Sequence, residues 1–161
     1  MGRDKARLRL GSKTLLAQIS HEARQLGLPV RTIRRDLVPR CGPLGGIYTA
    51  LKTSKAAAEL FLACDMPFVS AALLASLLEA WKTAPRPVFM VFRHKAGFPF
   101  VLPKQSLAEV ESQIRGKRFS LQNLAKSLNA SLLHPSPEHE SQLFNINTST
   151  DLEVARQHRA G

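Results

Sequence analysis

The sequence predicts an α/β domain with a mostly parallel sheet, and three observations carry that expectation. Leu60–Cys64 is a continuous apolar run with polar flanks, the pattern of a strand buried on both faces. Short strand-like runs alternate with segments that repeat at helical spacing. A glycine-rich turn, Arg40-Cys41-Gly42-Pro43-Leu44-Gly45-Gly46-Ile47, lies between a β-branched segment and an apolar helical one. A chain of 161 residues is long enough to bury a real core and fits one domain, so residues 1–161 are expected to form a single unit. No internal repeat, low-complexity stretch or long linker divides them.

The elements follow in order. Leu15, Leu16, Ile19, Ala23 and Leu26 fall on one helical face, so a helix is expected from about Lys13 to Leu26, stopped by Gly27. Pro29 to Arg34 is short and β-branched and reads as a strand. Its basic exit leads through Asp36 to a loop holding Pro39, Gly42 and Pro43, and Gly45 and Gly46 then open a helix to about Thr53. After the Leu60–Cys64 strand, Ser70 is placed to cap a helix from Ala71 to about Lys82. Pro85 and Pro87 mark a turn. Val88–Phe92 and Phe98–Leu102 read as two strands around a loop from Arg93 to Gly97. Ser106 with Glu109 forms a capping-box pattern for a helix to about Ile114, which Gly116 breaks. Ser120 starts another helix to about Asn129, and Leu132-Leu133 suits a short strand. Thr148 with Asp151 gives a second capping-box pattern for a last helix.

Composition narrows the function classes. The net charge is +11, which suits nucleic acid, an anionic membrane or polyanionic small molecules, or simply a solvated surface. The basic residues are spread over five clusters, Arg3–Arg9, Arg31–Arg40, Arg93–Lys95, Arg115–Arg118 and Arg156–Arg159. The first two flank the glycine turn region, which fits phosphate ligands better than a duplex track. Aromatics are sparse, so broad stacking surfaces for bases are not expected, and no helix-turn-helix, zinc or RNA-recognition signature is present. No apolar run is long enough to span a bilayer, and the opening Met1-Gly2-Arg3-Asp4-Lys5 lacks the apolar stretch of a signal peptide. Cys41 and Cys64 form no metal or disulfide framework, so a cytoplasmic protein is expected.

In open α/β sheets, ligands bind beyond the carboxyl ends of the strands. That rule puts Asp36, after the Pro29 strand, and Asp65, after the Leu60 strand, on one rim with the glycine turn. Glycines allow backbone N–H groups to approach an anion, and a helix N-terminus favours negative charge. Asp65 offers a hard oxygen ligand for Mg²⁺, which takes one or two carboxylates plus substrate phosphates; the alternative is a turn aspartate before Met66-Pro67. For Asp36 the alternative is an ion pair with Arg34, Arg35 or Arg40. Lys5 alone reads as a solvated lysine, and the five histidines have no metal spacing. Cys41, in a loop beside Arg40, is a candidate reactive thiol, whereas Cys64 reads as a packing residue. Asn145 and Asn147 serve either backbone turns or a ligand.

Taken together, Met1-Gly2-Arg3-Asp4-Lys5 with Gly11 and Leu15, Asp36, Gly42-Pro43-Leu44-Gly45-Gly46, Cys64-Asp65-Met66-Pro67 and Phe144-Asn145-Ile146-Asn147-Thr148 resemble the molybdenum cofactor guanylyltransferases. These belong to the nucleotidyltransferases with a Rossmann-like, three-layer α/β/α fold. Phe98-Pro99 is a looser match to a loop on the cofactor side. The resemblance implies transfer of GMP from GTP to molybdenum-molybdopterin, with pyrophosphate released. It implies that Lys5 holds GTP phosphate, that Asp36 contacts the nucleotide, and that Asp65 binds Mg²⁺. It further implies that Gly45 and Gly46 admit the ligand to the backbone, and that Asn145 and Asn147 lie on the pterin side. GTP and molybdenum-molybdopterin are the implied partners, with cofactor-insertion or acceptor proteins beyond them; neither membrane nor nucleic acid is expected. The family's opening strand and glycine loop have no counterpart here, since Met1 coincides with a methionine inside the motif. The chain is therefore expected to be truncated relative to the family, with its start internal to a longer reading frame. The alternatives are a related cytidylyl- or sugar-nucleotide transferase, or an inactive truncated cofactor-binding module.

Overall fold

A computed structural model describes residues 7–160. In chain order the strands are β1 (Arg9–Leu10), β2 (Lys13–Thr14), β3 (Ala58–Phe61), β4 (Val88–Phe92), β5 (Lys95–Pro103) and β6 (Ser131–Leu133). The helices are α1 (Leu15–Arg24), α2 (Pro43–Thr53), α3 (Ala71–Thr83), α4 (Leu107–Arg115), α5 (Leu121–Ser127), α6 (Pro137–Glu140) and α7 (Ser149–Ala160). The chain divides into two compact units: one takes the segments up to Val30, Leu62–Ala75 and from Pro135 onward, the other Arg31–Phe61 and Ser76–His134.

In the first unit, β1 and β2 form a short antiparallel pair around Gly11, whose φ of 67° only glycine adopts freely. Lys13-Thr14 therefore belongs to a strand rather than to the expected first turn of α1. Thr14 caps that helix instead, its Oγ1 accepting the Ala17 N–H at 3.1 Å. The helix ends at Arg24, with Gly27 at φ 70° past its end. Leu10, Leu15, Ile146 and Ala155 form a small core packed with Phe68, Phe144 and Leu152. The start of α3 is held from three sides. Ser70 Oγ accepts the Leu73 N–H at 3.2 Å and donates to Gln142 Oε1 at 2.7 Å, while Glu22 Oε2 accepts the Ala71 N–H at 3.0 Å. The capping box of α7 forms as expected: Asp151 N–H donates to Thr148 Oγ1 at 3.0 Å, and Thr148 N–H to Asp151 Oδ2 at 2.7 Å.

The second unit holds a four-stranded sheet in the order β3-β5-β4-β6. It is not purely parallel: β4 and β6 run parallel, while β5 runs antiparallel to both β3 and β4. The reason is local. Phe92 pairs with Lys95, so only Arg93 and His94 connect β4 to β5, with φ of 49° and 62°. Two residues at positive φ are the tight hairpin turn whose twist matches the flanking strands, and such a turn can join only antiparallel neighbours. The loop expected from Arg93 to Gly97 thus shrinks to two residues. Phe100, fully buried on β5, stacks on Phe89 at 4.5 Å and Phe61 at 5.0 Å. Leu44, Ile47 and Leu51 of α2, Val110 of α4 and Leu124 of α5 complete this core.

Three further expectations are corrected. Pro29–Arg34 is not a strand: it lies outside any ladder and is mostly exposed. The Leu60 strand begins earlier and ends at Phe61, and its residues are half-buried rather than buried on both faces. Its ladder with β5 stops at Phe61↔Phe100, where the next partner is Pro99, which has no N–H to donate. The Ser106–Glu109 capping box does not form. Ser106 is already helical (φ −64°, ψ −14°), its buried hydroxyl has no partner among the described residues, and Glu109 accepts from Gln113 Nε2 at 2.8 Å instead.

Candidate functional site

Two groups of candidate residues take shape, one in each unit. In the second unit the glycine turn leads into α2 two residues earlier than expected. Gly42 is the N-cap at φ 54° and ψ −140°, and Pro43 takes the first helical position, where a missing N–H costs nothing. Gly45 and Gly46 then lie inside the first turn. The N–H groups of Leu44 and Gly45 donate to the carbonyls of Cys41 and Gly42 at 3.2 and 3.4 Å.

Asp36 lies against this turn. A Cβ placed on Gly45 would stand 2.5 Å from Asp36 Oδ2, 2.9 Å from Asp36 Cγ and 2.9 Å from the Val38 carbonyl oxygen. No side chain fits there, so Gly45 is the residue that admits the Asp36 loop to the helix. At Gly46 the same Cβ would meet only Asp36 Oδ1, at 3.6 Å, an ordinary contact. The carboxylate is thus set over the positive end of α2, where negative charge is favoured. Its alternative role does not appear: among the described residues Asp36 forms no ion pair with Arg34, Arg35 or Arg40.

A cavity of about 620 Å³ opens on the same loop, lined by Arg35, Asp36, Leu37, Pro39 and Arg40. Arg40 is left-handed at φ 62°, a conformation that costs a non-glycine residue about 1–3 kcal/mol and is concentrated at functional sites. Cys41, the candidate reactive thiol, is instead buried in the α2 core, where its Sγ lies 3.5 Å from the Pro39 carbonyl oxygen.

In the first unit, Asp65 is half-buried in a turn that follows the unpaired residues 62–63, so it stands beyond the strand end rather than at its tip. Its carbonyl accepts the Ile146 N–H at 2.8 Å. That bond joins Cys64-Asp65-Met66-Pro67 to Asn145-Ile146-Asn147, segments far apart in sequence. Ile146 is fully buried, while Asn145 and Asn147 on either side of it are exposed. The alternation directs both amides away from the core. The Asn147 backbone N–H donates to Asp151 Oδ2 at 2.9 Å, so the α7 cap fixes this segment as well.

Lys5 lies outside the described residues. Among those described, no three His, Cys, Asp or Glu side chains gather into a metal cage. A hard carboxylate such as Asp65 fits an ion that takes most of its ligands from water and substrate phosphates. Sequence reasoning passed over Thr49 and Leu37, whose role rests on a side-chain bond across twelve residues that leaves no periodic trace. No helix among the described residues is long and apolar enough to cross a membrane.

The family described as MobA-like NTP transferase domain matches residues 21–131. A probable molybdenum cofactor guanylyltransferase of Opitutus terrae is 34% identical over 149 residues, covering 80% of this chain and 72% of that protein. One of Flavobacterium johnsoniae is 30% identical over 119 residues, and there the match spans 73% of this chain but only 62% of the relative's length. Among solved structures, the molybdopterin-guanine dinucleotide biosynthesis protein A of Archaeoglobus fulgidus superposes with a TM-score of 0.78 at 21% identity, covering 99% of this chain and 92% of that one. The 2-C-methyl-D-erythritol 4-phosphate cytidylyltransferase of Thermus thermophilus gives 0.72 at 17% identity, over 98% and 94%. At these identities the likeness is one of fold, and it is the α/β Rossmann-like fold of nucleotidyltransferases.

Proposed function

Because the chain belongs to the MobA-like NTP transferase domain family, a family of nucleotidyltransferases, we propose that it transfers GMP from GTP to molybdenum-molybdopterin in molybdenum cofactor synthesis. The terminal phosphate oxygen of molybdopterin forms a bond to the α-phosphorus of GTP. The bond from that phosphorus to the α,β-bridging oxygen breaks, and pyrophosphate leaves with the electron pair. Little covalent chemistry is asked of the protein; positioning and charge neutralisation carry such a transfer.

The roles follow the residues. Lys5 holds triphosphate. Asp36 and the Gly45-Gly46 turn receive the nucleotide, and Asn145 and Asn147 face the pterin. Asp65 is the ligand for Mg²⁺, which when bound supplies charge neutralisation of the phosphates. The observation that carries the reading is the 2.8 Å bond from Ile146 N–H to the Asp65 carbonyl. It makes one local structure of the Cys-Asp-x-Pro piece and the Asn-x-Asn-Thr piece, the latter being the one that argues for the molybdenum branch over a cytidylyl- or sugar-nucleotide transferase.

Isothermal titration with GTP, CTP and ATP in Mg²⁺ tests the nucleotide. Preference for GTP supports the reading, and equal or absent binding counts against it. Asp65→Ala is expected to cut Mg²⁺-dependent pyrophosphate release by roughly a hundredfold or more while the circular dichroism spectrum stays the same. Undiminished turnover removes the metal role. The fold likeness to a cytidylyltransferase favours CTP as the second reading, and the same titration separates the two.

A further inference from the structure

We infer that Thr49 is a positioning residue for the nucleotide site: its hydroxyl clamps the Asp36-Leu37 corner onto the first turn of α2. Thr49 is buried, at 7% exposure. Its Oγ1 donates to the Gly45 carbonyl at 2.8 Å and accepts the Leu37 N–H at 2.9 Å. A hydroxyl has one proton to give, and here the backbone carbonyl one turn earlier takes it. The lone pairs are then left for an incoming N–H, so the polarity of the contact is set.

The two groups so joined are neighbours of the residues that matter. Gly45 is the position with no room for a Cβ beside Asp36, and Leu37 is the next residue after Asp36. Fixing the Leu37 peptide therefore fixes where the Asp36 carboxylate lies. Among the described residues Leu37 makes no other hydrogen bond, and it is 56% exposed. The arrangement repeats one turn along α2. Thr53 Oγ1 donates to the Thr49 carbonyl at 2.7 Å and receives Arg31 Nη1 at 2.6 Å. Two threonines four residues apart thus present back-bonded hydroxyls to the segment 31–37. The first holds the end that carries Asp36, the second the end that carries Arg31.

The inference deepens the guanylyltransferase reading and rests on it for the nucleotide, but the clamp itself can be measured without substrate. Hydrogen exchange on the wild-type protein is expected to show the Leu37 amide slower than its loop neighbours by roughly tenfold or more. Thr49→Val keeps the shape and loses both bonds, so that protection is expected to vanish; Thr49→Ser keeps the hydroxyl and is expected to retain it. GTP affinity is expected to fall roughly tenfold in Thr49→Val, the scale of one lost hydrogen bond, and to stay within about twofold in Thr49→Ser. Thr53→Val, which removes one of the bonds of Arg31 and leaves the Asp36 end untouched, is expected to bind GTP like the wild type. An unprotected Leu37 amide in the wild type overturns the clamp before any variant is made. Protection that survives Thr49→Val overturns it too, as does a loss of GTP affinity in Thr53→Val equal to that in Thr49→Val. Protection that follows Thr49 in a protein that binds no GTP leaves the clamp standing and rejects the guanylyltransferase reading instead.

Discussion

Adjacent glycines in the first turn of α2 should respond to the same substitution with opposite sign. Gly45→Ala puts a Cβ 2.5 Å from Asp36 Oδ2 and 2.9 Å from the Val38 carbonyl oxygen. The carboxylate can rotate aside, but the Val38 carbonyl is main chain, so the loop itself must shift. Overpacking of this kind costs about 1–3 kcal/mol. Replacing glycine by alanine in a helix returns up to about 1 kcal/mol of backbone entropy, so the net loss is up to about 2 kcal/mol. Gly46→Ala meets its nearest atom at 3.6 Å, no worse than van der Waals contact, and keeps the helix gain without the clash. For a chain of this size each kcal/mol moves the melting midpoint by about 2–4 °C. Thermal melts of the two variants should therefore diverge, Gly45→Ala melting lower than wild type and Gly46→Ala level with it or higher. Titration with GTP should show the larger loss at Gly45→Ala, because the displaced group is Asp36. Equal melting midpoints for the two variants would refute the packing argument, and a lower midpoint for Gly46→Ala would reverse it.

Two other perturbations test the local bonding. Ser70→Ala removes the side-chain cap of α3 and the hydroxyl's bond to Gln142, leaving the Ser70 N–H bond to Gln142 Oε1 at 3.1 Å, and should cost about 1–2 kcal/mol, read as a lower midpoint in a denaturant melt; an unchanged midpoint would show that the remaining bonds to Glu22 and Gln142 secure the helix start. Ser106→Ala removes a buried hydroxyl without a partner among the described residues and should be neutral or stabilising by up to about 1 kcal/mol; a clear loss of stability would mean that this hydroxyl is bonded in solution.

Legibility followed the range of the signal. Helix α3 and its Ser70 cap, the Ser120 cap of α5 and the reciprocal Thr148–Asp151 box all form where the sequence places them. Each is decided within four residues. Ser106 carried the same signal and failed, because the preceding 3-10 turn of Lys104–Ser106 already gives it helical angles. A cap needs an extended residue, which the side-chain pattern does not report. The site divided in the same way. Asp36, Gly45 and Gly46 were found as residue types suited to a ligand, yet the close approach of Asp36 to Gly45 and the hold of Thr49 on Leu37 depend on contacts across nine and twelve residues.

Strand pairing shows the limit most sharply, because a ladder belongs to two segments and a sequence pattern to one. Pro29–Arg34 has the β-branched composition of a strand, but nothing pairs with it among the described residues. Arg31 supplies side-chain bonds in place of main-chain ones: Nη1 to Thr53 Oγ1 at 2.6 Å, Nη2 to the Ala50 carbonyl at 2.9 Å, and an ion pair with Glu59 of β3 at 3.8 Å. That pair is part-exposed and contributes at most about 1 kcal/mol. The two hydrogen bonds to α2 therefore do more than the charge to hold the segment. Among the described residues β3 is an edge strand of its sheet, and it is half-buried along its whole length. Where its apolar run promised burial on both faces, the burial actually reached depends on a neighbour, and composition within the run cannot supply one. The same reasoning explains why Asp65 stands in a turn rather than at a strand tip: the ladder that would have carried the strand to Cys64 ends at Pro99, a residue on β5 that no reading of Leu60–Cys64 alone could bring opposite it.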